Sequence, residues 1–180
     1  QETIFRLQGV IYEKELPPLK ISRLQPLYLR QHAGITGLGL PYMTHAVENF
    51  HQIFASFQRM LNQEELTPWT SNNSYQPFEG VTANCRYFTA GTNTSTRQSI
   101  PFQKDIDPEG DGIVHTEENT VLYMKASKSG PNSKWRYSDI SPSSFLIGDI
   151  VEIQFTVMSI CQKEGNYKMI TILKSLTVLD

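Results

Sequence analysis

The sequence predicts an α+β fold in which a β-rich second half packs against one long amphipathic helix. Two patterns carry this. Between Pro41 and Leu66, the residues Met43, Val47, Phe50, Phe54, Phe57 and Leu61 recur at alternating spacings of four and three, which places them on one helical face. After Val121, apolar runs alternate with polar turns. The last two runs, 150–157 and 167–178, flank Lys163-Glu164-Gly165-Asn166 and read as a hairpin.

Pro41 suits a first helical turn and Pro68 forbids continuation, so the helix is expected over about residues 42–65. The same stripe has coiled-coil spacing. It spans under three heptads and presents a wide aromatic face, which favours a core helix laid across a sheet. Residues 4–40 predict irregular chain with short strands: Ile4-Phe5-Arg6-Leu7 and Val10-Ile11-Tyr12 are extended in character, but Pro17, Pro18, Pro26, Gly34, Gly37 and Gly39 punctuate the remainder. Residues 67–80, rich in Pro, Trp, Ser, Asn and Gly, predict a surface loop. Residues 81–90 predict a strand, 91–96 a polar turn, 121–124 a strand and 127–132 a basic, flexible loop. In 167–178 apolar residues occupy both parities, so both faces of that strand are expected to be covered.

A chain of 180 residues has the size of one domain, and no repeat, low-complexity tract or linker divides it. Residues 1–180 are therefore read as a single globular domain. Hydrophobic residues make up 39% and charged residues 19%, which excludes a disordered segment. No run approaches the ~18 apolar residues of a membrane helix. The opening Gln1-Glu2-Thr3-Ile4-Phe5 has no signal pattern, so an intracellular protein of the nucleus or cytoplasm, without a membrane partner, is expected. Two readings of Cys85 and Cys161 compete: one disulfide in an oxidising compartment, or two buried free thiols. Their apolar, strand-like contexts favour thiols. The sequons at Asn72 and Asn93 matter only in a secreted chain. A net charge of −2 provides no global field for nucleic acid, so any such binding needs a local patch.

Two stretches could carry chemistry. In Asp107-Pro108-Glu109-Gly110-Asp111-Gly112, continuing to Glu118, carboxylates and a glycine fall at the spacing of a calcium loop. Asp107, Glu109, Asp111 and Glu118 are the candidate ligands, because a hard cation wants several oxygens gathered by a sharp turn. The flanking residues look extended rather than helical, which favours an acidic solvent turn. His115 and Glu117 form a His-x-Glu triplet, but no Pro-Cys-x-x-Cys lies downstream, and His32, His45 and His51 complete no zinc motif. The second stretch is basic and aromatic: Lys125, Lys128, Lys134, Trp135, Arg136 and Tyr137. Cations for phosphates beside aromatic rings for bases are the parts single-strand binders use, although solvated loops share this composition. Phosphate-loop, dinucleotide and nucleophile-elbow motifs are absent, and the expectation leans away from an enzyme.

The blocks 111–119 (Asp-Gly-Ile-Val-His-Thr-Glu-Glu-Asn), 145–154 (Phe-Leu-Ile-Gly-Asp-Ile-Val-Glu-Ile-Gln) and 167–176 resemble a large family of uncharacterised proteins of mushroom-forming (basidiomycete) fungi. The resemblance implies a fungal origin, an association with mobile elements and a nuclear setting. It implies no activity and transfers no site residues. It also implies that the acidic stretch ahead of His115 is a structural turn. The strand opening Gly148-Asp149-Ile150-Val151, leading into a hairpin, is similar to the Gly-Asp-x-Val openings of OB-type barrels, which implies an OB-like or other small barrel.

The expected function is a non-enzymatic binding module, with nucleic acid the leading ligand through the basic-aromatic stretch. One alternative is a protein-interaction or oligomerisation module using the helix stripe or exposed sheet edges. The other is a calcium-dependent protein or enzyme built on residues 105–118. Outside the calcium reading no cofactor is expected.

Overall fold

The computed structural model describes residues 2–19, 26–61, 66–71, 77–90, 113–128, 130, 134–162 and 165–179. In chain order the elements are β1 (Phe5–Glu15), β2 (Arg30–Thr36), α1 (Pro41–Met60), β3 (Leu66–Thr67), β4 (Gly80–Arg86), β5 (Thr89–Ala90), β6 (Ile113–Val114), β7 (Leu122–Ser127), β8 (Arg136–Asp139), β9 (Ile150–Cys161) and β10 (Tyr167–Leu179). Among the described residues no helix is long and apolar enough to cross a membrane.

The α+β expectation holds, and the β part is a small barrel. Residues 5–10 of β1 pair antiparallel with β9, while residues 10–15 pair antiparallel with β2. β2 continues antiparallel to β4, and β9 and β10 form the long hairpin expected from the sequence. One parallel pairing, Ile172 with Asn84, joins β10 to β4 and closes the ring β1-β2-β4-β10-β9. This is a five-stranded, partly open Greek-key barrel of the OB type. The edge of β10 that carries β4 also takes β3 near its start and β7 towards its end, both parallel, and β8 pairs antiparallel outside β7.

Ile11, Ile35, Val81, Ile153 and Leu173 alternate inward from five ring strands and are nearly solvent-free. Burial of each contributes roughly 1.5–3 kcal/mol. α1 lies against this core through the predicted stripe: Met43, Val47 and Phe50 are buried, while Phe54 and Phe57 pack on its margin. Phe50 stacks on Phe155 at 5.5 Å between centroids and on Trp69 at 5.1 Å, and Phe155 in turn stacks on Phe5 at 5.8 Å. The helix is thus a core element rather than a coiled-coil strand. Gly148, at φ +98°, turns the chain into β9, with its N–H donating to Ile11 O at 2.8 Å and Ile11 N–H donating to Asp149 O at 3.0 Å.

Several expectations need correction. Residues 4–40 are not mainly irregular, because β1 is an eleven-residue strand that serves two neighbours in succession. Long-range pairing overrides the local punctuation there. Gly9 sits where β1 crosses the end of β2, and an added Cβ would meet Thr36 O at 2.9 Å. The helix stops at Met60 rather than near residue 65, with Leu61 already extended. Leu66 and Thr67 are taken up as β3 against Tyr167 and Lys168, so the chain leaves the helix axis early. This also puts a short strand at the start of the predicted 67–80 loop. The strand predicted over 81–90 breaks after Arg86, where fully buried Phe88 anchors the turn and β5 leaves to pair with β6. Both cysteines are free, as favoured, but only Cys85 is buried; Cys161, at the end of β9, is exposed.

Candidate nucleic-acid interface

The basic-aromatic stretch folds as the β7–β8 hairpin, outside the ring. Its ladder sets Met124 opposite Asp139, Lys125 opposite Ser138, Ala126 opposite Tyr137 and Ser127 opposite Arg136. Opposed residues share a face and neighbours along a strand alternate, so Lys125 and Arg136 project on one side and Tyr137 on the other. The Lys125 side is continuous with the barrel interior, since Tyr123 of the same parity lies beside Leu176. At the open end, Lys128 Nζ stands 5.8 Å from the centre of the Trp135 ring, a cation–π contact. Lys134, Trp135, Arg136 and Tyr137 are all exposed, Trp135 at 47% and Tyr137 at 59%. The structure therefore brings Lys128 to Trp135 and Lys125 to the side of Arg136, but it does not gather all six residues on one face.

Tyr123 holds this hairpin to the ring. Its ring meets Phe145 edge-on at 5.9 Å, its carbonyl accepts from Ile140 N–H at 3.0 Å, and its hydroxyl donates to Gln31 Oε1. Burial, with smaller contributions from Cys85 and Tyr87, pushes its phenol far above the ordinary value. Gln31 Nε2 donates to Asn119 O at 2.7 Å, which fixes the segment leading into β7.

That segment includes the end of the candidate calcium loop. Asp107, Glu109 and Asp111 lie outside the described residues. Glu118 is exposed in a 3-10 turn, Glu117–Asn119, that runs into β7 instead of the helix an EF-hand requires. The turn is held by Thr116 N–H donating to Asn119 Oδ1 at 3.0 Å, and Glu118 O accepts from Cys85 Sγ at 3.4 Å. His115 Nδ1 lies 2.6 Å from Tyr87 O. Among the described residues, no group of three His, Cys, Asp or Glu side chains could hold a metal.

A second cationic cluster has no signal in the sequence. Arg30 ends the β2 ladder directly opposite Arg86 of β4, and Arg30 Nη1 donates to Asn84 Oδ1 at 3.4 Å. Arg30 is half-buried and Arg86 exposed. Burial first, then the charge of Arg86, lowers the Arg30 pKa from its ordinary value. No local spacing marks these two residues, because only the β2–β4 register brings them together.

No protein-family model matches the chain, and no curated protein matches it. Among solved structures the chain is similar to gp2.5, a single-stranded DNA binding protein encoded by bacteriophage T7. The TM-score is 0.48 and the identity 10%, over 100% of this chain and 87% of that one.

Proposed function

We propose that this chain is a non-enzymatic module that binds single-stranded nucleic acid through the β7–β8 hairpin. The observation that carries the reading is the run Lys134-Trp135-Arg136-Tyr137, exposed throughout on an edge hairpin, with Lys128 seated over the Trp135 ring. Exposed aromatic rings give unpaired bases a stacking surface worth about 1–3 kcal/mol per base. The flanking cations supply the phosphate contacts that a net charge of −2 cannot supply globally. Lys125, Lys128, Lys134 and Arg136 are assigned to phosphates, Trp135 and Tyr137 to bases. Because Tyr137 projects opposite to Lys125, the strand wraps the hairpin edge rather than lying on one face.

Fluorescence anisotropy with a labelled single-stranded oligonucleotide tests the reading. Trp135→Ala combined with Arg136→Ala is expected to weaken binding by about ten- to a hundredfold, given the stacking and charge terms involved. Binding that survives the double substitution unchanged sinks the site.

A second reading, a protein-interaction module, is favoured by one feature. A cavity of about 430 Å³ lies between α1 and β1, floored by Phe5, Leu7, Ala46, Phe50, Ile53 and Phe155. It adjoins residues 5–9 of β1, whose edge away from β9 has no ladder partner among the described residues. Light scattering that finds a monomer across micromolar concentrations counts against self-association there.

A further inference from the structure

Arg30 and Arg86 stand directly opposite each other on neighbouring antiparallel strands. Like charges in that position repel and weaken a sheet. Among the described residues neither arginine makes an ion pair with a carboxylate, and the Arg30 guanidinium donates to the neutral Asn84 amide oxygen. Half-burial of Arg30 removes water that would otherwise screen the repulsion.

The flanking charges are mixed: Glu15 of β1 stands opposite His32, on the sheet face that Arg30 shares. Lys174 of β10 is close enough to act, with Arg30, on the Cys85 thiol next to Arg86. Lys174 is paired with Glu2 at 3.0 Å. Tyr28, 63% exposed, lies just ahead of this end of β2, and the ladder continues one step further through Tyr87 N–H donating to Leu29 O at 2.9 Å.

We infer that Arg30 and Arg86 form a seat for one phosphate group, the backbone phosphate of a bound nucleic-acid strand. Opposed positions on an antiparallel pair place their Cβ atoms about 4.5–5.5 Å apart. Two planar guanidinium forks rooted at that separation converge on one tetrahedral anion, which accepts from both and cancels the repulsion. The seat lies apart from the hairpin in sequence but beside it in the sheet: β4 pairs with β10 at Ile172, and β7 takes up the same edge from Ser175. The identity of the phosphate as part of a strand rests on the function proposed above; the seat itself rests only on the arginine pair.

The test uses the whole chain, as wild type, Arg86→Gln and Trp135→Ala, in two assays. Thermal melts compare sodium phosphate with sodium chloride at equal ionic strength, and anisotropy tracks a labelled single-stranded oligonucleotide over a salt series. Phosphate is expected to raise the wild-type Tm and to lose that effect in Arg86→Gln. In chloride, Arg86→Gln is expected to melt no lower than wild type, because the repulsion is gone, so lost binding cannot be ascribed to misfolding. Its oligonucleotide affinity is expected to fall by about tenfold, with the salt slope reduced by about one. A missing phosphate effect in wild type, with an unchanged slope in Arg86→Gln while Trp135→Ala still weakens binding, overturns the seat and leaves the hairpin reading standing. A phosphate effect that depends on Arg86 in a protein that binds no oligonucleotide supports the seat, assigns it to a free phosphate ester and overturns the nucleic-acid reading.

Discussion

The Tyr123 hydroxyl donates a 2.9 Å hydrogen bond to Gln31 Oε1, tying β7, which lies outside the closed ring, to β2, which is part of it. Gln31 is 2% exposed and spends its amide nitrogen on Asn119 O. One buried side chain thus fixes both the root of the hairpin and the turn that leads into it. The proposed contact surface is steadied by this anchor, which adds a buried side-chain bond to the β7–β10 backbone pairing and the Tyr123–Phe145 ring contact.

Removing one partner of this bond strands the other in a water-poor site, at about 1–3 kcal/mol. Tyr123→Phe leaves Gln31 Oε1 unpaired, and Gln31→Leu leaves both the phenol and Asn119 O without their partner. Each variant is expected to lower the urea midpoint. The double variant should cost less than the two combined, by a coupling of about 0.5–3 kcal/mol. Strict additivity would show that the bond does not contribute.

Stability is expected to fall in alkali. Tyr12, Tyr87 and Tyr123 all have phenol pKa values raised chiefly by burial, and the Cys85 thiol is raised for the same reason. A group raised in the folded state contributes fully below its unfolded pKa, near 10 for tyrosine, and that contribution is lost as pH climbs towards the folded value. Over this window the unfolded chain binds fewer protons than the folded one. Urea midpoints should therefore hold steady near pH 8 and decline through pH 9–11, beginning with the thiol, whose ordinary value of 9.0 is lower. Tyr123→Phe should make the tyrosine part of the decline shallower. A profile flat to pH 11 would refute the assignment.

The two thiols should differ sharply. Cys161 is exposed, whereas Cys85 is buried with its thiol pKa raised and donates to the Arg86 and Glu118 carbonyls at 3.5 and 3.4 Å. A thiolate-selective reagent is expected to modify one cysteine per native chain and the second only after unfolding. Two fast-reacting thiols in the native protein would contradict the burial of Cys85.

Where a signal was local and periodic, the sequence was enough. The stripe from Met43 to Phe57 specified a helix and its buried face, because the helical repeat is a property of adjacent residues. The β9–β10 hairpin was legible for the same reason: its turn chemistry and its two strands are contiguous. The exposed run Lys134 to Tyr137 could also be read as a candidate, since charge and aromaticity are compositional.

The rest depended on which distant strands became neighbours. β1 was legible only as two short extended runs, because what joins them into one strand is pairing with β9 and β2, which lie much later in the chain or on the other side of a proline-rich segment. The helix end moved because β10 claims Leu66 and Thr67. The splitting of Lys125 from Tyr137 is set by pleat parity, and the meeting of Arg30 with Arg86 by the β2–β4 register. The sequence by itself determined the helix face, the closing hairpin and the composition of one exposed patch. Only the tertiary structure decided the barrel closure, the Tyr123–Gln31 anchor and the arginine pair, because each requires the simultaneous pairing of strands whose contacts no local pattern records.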